Sequence, residues 1–345
     1  MNIIFASYAC CIRTIKEGIA LMQQGHAVTF LQKTMANWEL LAELPVVSFF
    51  GNPFKMDESP EYYMRKLKMF QETDLIHVHN EPSWLGHKAK EACPDIPVIF
   101  DAHDLNLVRQ TIRHNPEKKE ATKDEIKSFK MCDGVIFPSV GYQEYCKKYK
   151  ALVYTPTEVI YSMVNKHVLH MPGVSRLPGI VYQGGLTINN NYRDYRQVAS
   201  ILNNMKIPFH IYDTTMNYMQ QYTAAGAICM PTQSYYSLIR NLNRYDWGFV
   251  GSPIKSSQWD RAMPNKMFEF IAAGIPCLVY QANECAEFVK KHNLGIVVDD
   301  LRDIPSIYDQ HEKYRKIVMQ KRDQFTMESQ TEKILTLYEK VLHGK

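Results

Sequence analysis

The sequence predicts an α/β protein of two similar domains, each an open, mostly parallel sheet covered by helices. Three observations carry this. Short apolar runs alternate with helical patterns along the chain, and the alternation lapses only over 157–178. The 345 residues also fit two domains of roughly 150 residues better than one.

The first series opens with a strand at 2–7, an amphipathic helix at 12–24 ended by Gly25, and a strand at 27–32, a βαβ start. Further strands are expected at 45–50, 74–79, 97–103, 133–139 and 151–156, separated by helices at 59–72, 83–92, 117–131 and 140–148. Residues 157–178 lose periodicity, carry Pro172, Gly173 and Pro178, and read as the interdomain linker. A second series follows, with strands at 179–185, 207–213, 227–231, 247–252, 276–280 and 295–299. Its helices are expected at 191–204, 215–224, 234–243, across "PNKMFEFIAAG", and at 283–291. The helical pattern of 308–342 changes phase at Phe325 and Thr326. One helix thus ends the second domain, and another, at about 326–345, is expected to lie back on the first. The expected domains are therefore 1–170 and 171–325, facing across a cleft at the C-terminal ends of their strands.

Composition excludes several classes. The chain is 46% hydrophobic and 22% charged, ordinary for a packed globular protein. A net charge of +4 (40 basic against 36 acidic residues), with no basic arm or recognised module, argues against a nucleic-acid partner. The eight cysteines show neither a CxxC repeat nor zinc-type spacing and read as free thiols in a reducing compartment. The apolar N-terminus is broken by Arg13, Lys16 and Glu17, and reads as a strand and helix rather than a leader. The expected location is the cytoplasm. The segment "SVGYQEYCKKYK", with Lys147, Lys148 and Lys150, allows contact with the inner face of a membrane, though such a segment is more often a plain surface helix.

Two groups of residues offer chemistry. In the second domain, "YQGGL" places Gly184 and Gly185 between a strand and a helix, where backbone N–H groups can approach a phosphate, or where two glycines simply make a tight turn. The segment "PNKMFEFIAAGIP" reads as a helix with Pro264 in its first turn, Asn265 and Lys266 at its open N-terminus, and Gly274 ending it. Glu269 follows Lys266 by three residues, hence on nearly the same face. A ligand with phosphates at one end and vicinal hydroxyls further along meets both groups; a solvent-facing Lys–Glu pair is the plainer reading. Arg193 and Arg261 are candidate phosphate contacts. In the first domain, "IHVHNE" and "FDAHDL" gather His77, His79, Glu81, Asp101, His103 and Asp104 at two strand ends. His77 and His79 share one strand face, His77 reading as a core histidine. His103 suits contact with a sugar hydroxyl or phosphate oxygen, fixed by Asp101 or Asp104.

The motifs "EGIALMQQGHAVTFL", "DLIHVHNEPSW", "VIFDAHD", "CDGVIFPS", "IVYQGGL", "LNRYDWGFV" and above all "PNKMFEFIAAGIPCLV" resemble the GT-B fold glycosyltransferases. The resemblance is to the large retaining family 4 of bacterial polysaccharide and lipopolysaccharide enzymes, and it spans nearly the whole chain. It implies two Rossmann-like domains, the second holding a nucleoside-diphosphate sugar and the first an acceptor. Glu269 would bind the ribose hydroxyls, Lys266 and the backbone at Gly184 and Gly185 the diphosphate, and His103 the donor sugar. His79 and Glu81 fall on the acceptor side. The implied reaction moves a hexose or N-acetylhexosamine to an acceptor hydroxyl, on a saccharide, a lipid-linked saccharide or another carrier. It proceeds with retention and needs no metal and no cofactor beyond the sugar nucleotide.

The chain departs from the family pattern in two main places. Arg261 stands where the family commonly has a second glutamate, eight residues before Glu269. Cys10-Cys11 replaces the usual Gly-Gly after the first strand. These departures keep two alternatives open: a nucleotide-sugar epimerase of the same fold, and a degenerate nucleotide-sugar-binding subunit without catalysis.

Overall fold

The structure is a computed structural model that describes residues 1–9, 11–34, 48–50, 64–65, 67–68, 72–80, 82–108, 116–148, 155–170, 174–189, 191–214 and 216–344. The chain folds into two compact units, Met1–Tyr161 with Met327–Lys345, and Ser162–Thr326.

The first unit is built on seven strands: β1 (Asn2–Ala9), β2 (Ala27–Thr34), β3 (Ser48–Phe50), β4 (Leu75–His79), β5 (Val98–Asp101), β6 (Gly134–Phe137) and β7 (Thr157–Val159). They pair in parallel in the order β3-β2-β1-β4-β5-β6-β7. Helices α1 (Ile12–Gln23), α2 (Leu85–Ala92), α3 (Pro116–Met131) and α4 (Val140–Lys148) connect them. Strands β4, β5 and β6 are buried at every residue, as a parallel sheet covered on both faces requires. The seventh strand lies at Thr157–Val159, where the linker was expected to begin. The Pro156 carbonyl accepts from Val135 N–H, so pairing with β6 starts there. Residues 151–154 of the expected strand, most of the 59–72 helix and Glu81 fall outside the described residues.

The second unit repeats the plan with six strands: β8 (Ile180–Gln183), β9 (Phe209–Tyr212), β10 (Ile228–Met230), β11 (Trp247–Gly251), β12 (Cys277–Tyr280) and β13 (Gly295–Val298). Their order is β10-β9-β8-β11-β12-β13, again parallel. The intervening helices are α5 (Arg196–Asn204), α6 (Met219–Ala224), α7 (Tyr235–Leu242), α8 (Asn265–Ala272) and α9 (Asn283–His292). Helix α8 packs close to β11: a Cβ on Gly248 would come within 2.3 Å of the Phe270 ring, so this contact needs glycine. Helix α10 (His311–Lys321) follows, the helical run stops at Phe325 and Thr326, and α11 (Thr331–His343) belongs to the first unit. There the Tyr338 hydroxyl is hydrogen-bonded to His77 Nδ1 at 2.6 Å.

In each unit the strand order reverses direction beside the first strand, at β1/β4 and at β8/β11. Ligands of open α/β sheets bind outside the carboxyl ends of strands at such switch points. His79 and Asp101 are the last residues of β4 and β5, His103 and Gly184 follow β5 and β8, and Lys266 and Glu269 stand on the helix after β11. No helix among the described residues is long and apolar enough to cross a membrane.

Candidate active site

In the second unit, β8 ends in Gln183 and is followed at once by Gly184, whose φ of +130° favours glycine. A Cβ at Gly184 would lie 3.2 Å from Lys266 Nζ and 3.4 Å from the Tyr182 hydroxyl, so the missing side chain is what admits the lysine. Lys266 reaches this point from the first turn of α8, whose N-cap is Pro264 in extended conformation (ψ 148°). The proline thus stands just ahead of the helix rather than inside its first turn. The Lys266 ammonium sits 3.8 Å from the centroid of the Tyr182 ring and 5.7 Å from that of Trp259, a cation–π setting. Among the described residues no hydrogen bond or ion pair holds it. Burial, reinforced by Arg193, pushes its pKa down to about 7. Arg193 brings Nη1 to 3.6 Å from where a Gly185 Cβ would be. Two cations therefore converge on two glycines beside a helix start, an arrangement complementary to a diphosphate.

Glu269 lies on the same helix but is only 5% exposed, so the solvent-facing Lys–Glu pair is not what the sequence forms. Its Oε2 accepts from Gln183 Nε2 at 2.5 Å. That bond ties the carboxylate to the end of β8, next to Gly184. Asn265 is exposed at the first position of α8. Arg261 is partly exposed and donates from Nη1 to the Ser257 carbonyl at 2.9 Å.

In the first unit the ends of β4 and β5 and the start of α1 enclose a buried ionic cluster. Asp101 receives Arg13 in two bonds, Nε to Oδ2 at 2.8 Å and Nη2 to Oδ1 at 3.0 Å. Arg13 Nη1 donates to the Ile160 carbonyl at 2.7 Å, and Nε also lies 3.0 Å from Glu17 Oε1. His103 Nε2 is 3.2 Å from Asp101 Oδ2 and 3.1 Å from His79 Nδ1. Burial would raise the Asp101 carboxyl, but Arg13 and His103 hold it well below the ordinary carboxylate range. Burial lifts Glu17 well above that range, so of the two acids it is the one that favours its proton. Burial opposes the charged form of His103, yet Cys11 and Asp101 raise it to about 10.

Not every expected residue stands where the sequence suggested. Asp101, rather than Asp104, is the carboxylate on His103; Asp104 offers its backbone carbonyl to Asn80 Nδ2 at 3.4 Å. His79 is 1% exposed, stacks on His77 with ring centroids 4.3 Å apart, and supports His103 from beneath instead of facing an acceptor. Every residue of β4 is buried, which leaves neither histidine a route to solvent. Glu17, His77, His79 and Asp101 bring one ligand atom each within 4.8 Å of one another, a spacing at which a metal ion can bind. The Arg13 guanidinium already lies against both carboxylates, so a divalent ion would have to displace it. Sequence reading assigned no chemistry to Arg13, Glu17 and Gln183, and took Cys11 only as a departure from the usual Gly-Gly. Only the i,i+4 spacing of Arg13 and Glu17 and the place of Gln183 before Gly184 signalled them.

The fold of two parallel sheets flanked by helices is that of the GT-B glycosyltransferases. Residues 17–167 match the family described as Glycosyltransferase Family 4, and residues 180–328 the family described as Glucosyltransferase 3-like, C-terminal domain. Sucrose-phosphate synthase from Thermosynechococcus elongatus is similar in structure, with a TM-score of 0.73 at 14% identity over 100% of both chains. HepE from Anabaena, solved in complex with UDP, gives 0.69 at 13% identity over 97% of this chain and 98% of its own. WaaG, a glycosyltransferase involved in lipopolysaccharide biosynthesis, gives 0.69 at 11% identity over 99% of this chain and 100% of its own. No curated protein matches in sequence. The chain is a glycosyltransferase of GT-B fold, related over residues 17–167 to Glycosyltransferase Family 4.

Proposed function

We propose that the enzyme moves a hexose or N-acetylhexosamine from a nucleoside-diphosphate sugar to an acceptor hydroxyl, with retention at the anomeric carbon and without a metal ion. The carrying observation is Lys266, an ammonium on an aromatic ring with no hydrogen bond or ion pair among the described residues, beside Gly184, Gly185 and Arg193. In this reading these four bind the diphosphate, Asn265 adds the open first turn of α8, and Glu269 takes the ribose hydroxyls. Arg261 adds positive charge to the donor site. HepE in complex with UDP supports a diphosphate ligand. The second unit binds the donor, and the first takes the acceptor.

In the first domain, Asp101 and Arg13 fix His103, which contributes positive charge toward the donor sugar and its leaving phosphate. That leaving oxygen takes up the proton of the incoming hydroxyl on the same face, so no enzyme nucleophile is invoked. A saccharide or lipid-linked saccharide made in the cytoplasm, at or near the inner membrane face, is the acceptor class we infer. The test is a thermal-shift screen over the uridine, guanosine, adenosine, cytidine and thymidine diphosphate sugars. Stabilisation by one base family identifies the donor, and none by any of them contradicts the reading. Incubation with the stabilising donor alone separates the alternatives. A transferase gives slow hydrolysis and an epimerase a new sugar nucleotide; a binding subunit gives neither, and no transfer with any acceptor extract.

A further inference from the structure

Cys11 caps the N-terminus of α1, and its Sγ lies 3.4 Å from His103 Nδ1 and 3.3 Å from the Thr14 hydroxyl. The other nitrogen of that ring faces Asp101 Oδ2 at 3.2 Å. Thiol, imidazole and carboxylate therefore stand in series, the order in which nucleophilic thiols are activated. The proton positions follow from the partners. Asp101 is held through both oxygens by Arg13 and only accepts, so His103 Nε2 carries hydrogen. His103 Nδ1 can then take the Cys11 proton, leaving a thiolate that receives N–H from His103 and O–H from Thr14. The free N–H groups at the start of α1 favour the same negative charge.

We propose that Cys11 is an activated thiolate and the site at which soft carbon electrophiles modify this chain selectively. The thiolate attacks the electrophilic carbon, the S–C bond forms, the leaving group departs with its bonding electrons, and His103 keeps the proton. Burial works against the thiolate, yet His103 and Thr14 bring the Cys11 pKa down to about 6. The charged and titratable groups around the pair are Asp101 on β5, His77 and His79 on β4, and Arg13 and Glu17 on α1. Cys93, Cys132, Cys146, Cys277 and Cys285 are buried, and burial pushes each of them up. Cys229, like Cys11, is partly exposed, but its thiol donates to the Met219 carbonyl.

Labelling does not depend on the reading of the reaction. Loss of transfer after labelling does, because it rests on the role proposed for His103. The experiment treats the full chain with limiting iodoacetamide at pH 6.5 and maps adducts by peptide fragmentation that separates Cys10 from Cys11. Activation by His103 and Thr14 is expected to make Cys11 about tenfold faster than Cys229. That advantage is expected to vanish in His103→Gln, with Cys11→Ser as the blank. Equal rates at Cys11 and Cys229, or an undiminished rate in a folded His103→Gln, overturn the proposal. Should that variant not fold, the rate profile of the unaltered chain decides. A midpoint near pH 6 supports the thiolate pair, and one at or above pH 8 refutes it.

Discussion

Lys266 Nζ stands 3.8 Å from the centroid of the Tyr182 ring and has no carboxylate bound to it among the described residues. An ammonium in that position has lost much of its water and is repelled by Arg193, which the attraction of Glu269 only partly offsets, so its pKa falls to about 7. A diphosphate would restore the missing counter-charge and raise the pKa again. Binding is therefore coupled to proton uptake wherever the free lysine is neutral and the bound one charged. Between pH 7 and 9 the affinity for a nucleoside diphosphate should fall with rising pH, by up to about tenfold per unit. Calorimetry in buffers of different ionisation enthalpy should show close to one proton taken up at pH 8. A flat profile with no uptake would mean that another cation carries the phosphate.

Glu269 and Gln183 offer a test that separates ribose from phosphate. Glu269→Gln keeps the shape but removes the charge that Gln183 Nε2 and the ribose hydroxyls would share. Nucleoside diphosphate affinity should fall about tenfold or more, roughly 1.4 kcal/mol, while inorganic pyrophosphate binding stays unchanged. Equal losses for both ligands would move Glu269 from the ribose to the general scaffold of α8.

Gly184 is tested by a single methyl group. Gly184→Ala forces a side chain into a φ of +130° and within 3.2 Å of Lys266 Nζ. Stability should drop by about 1 kcal/mol or more, and nucleotide affinity should drop with it. Gly25→Ala is a control, since Gly25 also has positive φ (+84°) but nothing within 4 Å of an added Cβ. It should lose stability and leave affinity intact.

Arg261 stands where the sequence resemblance implies an acid. Arg261→Ala should weaken binding of the intact sugar nucleotide more than that of the free nucleoside diphosphate, by titration calorimetry. An unchanged dissociation constant for the sugar nucleotide removes Arg261 from the site.

The alternation of short apolar strands and helices was legible because a parallel sheet covered on both faces needs uniformly apolar strands, such as "VIFD" and "FHIY". The start of α8 was legible too, because proline and glycine act locally: Gly274, with φ +77°, does end that helix. The ionic cluster was not. Arg13 and Glu17 on a helix look like an ordinary solvent-facing pair, and only packing against β4, β5 and the Ile160 carbonyl shows both to be buried. His79 misled for a similar reason: alternation along β4 says which residues share a face, not whether that face is covered. The burial of Glu269 likewise depends on its partner Gln183, 86 positions away in the sequence.

The central claim is that Lys266 binds the diphosphate of the donor. Its most direct test is the dissociation constant of the stabilising nucleoside diphosphate for the unaltered chain and for Lys266→Ala, measured side by side at pH 7 with folding checked by thermal melting. The account predicts a loss of about 10- to 100-fold, the worth of one charge-assisted phosphate contact, with the melting of the free protein little changed. An affinity within about twofold of the unaltered chain would contradict it.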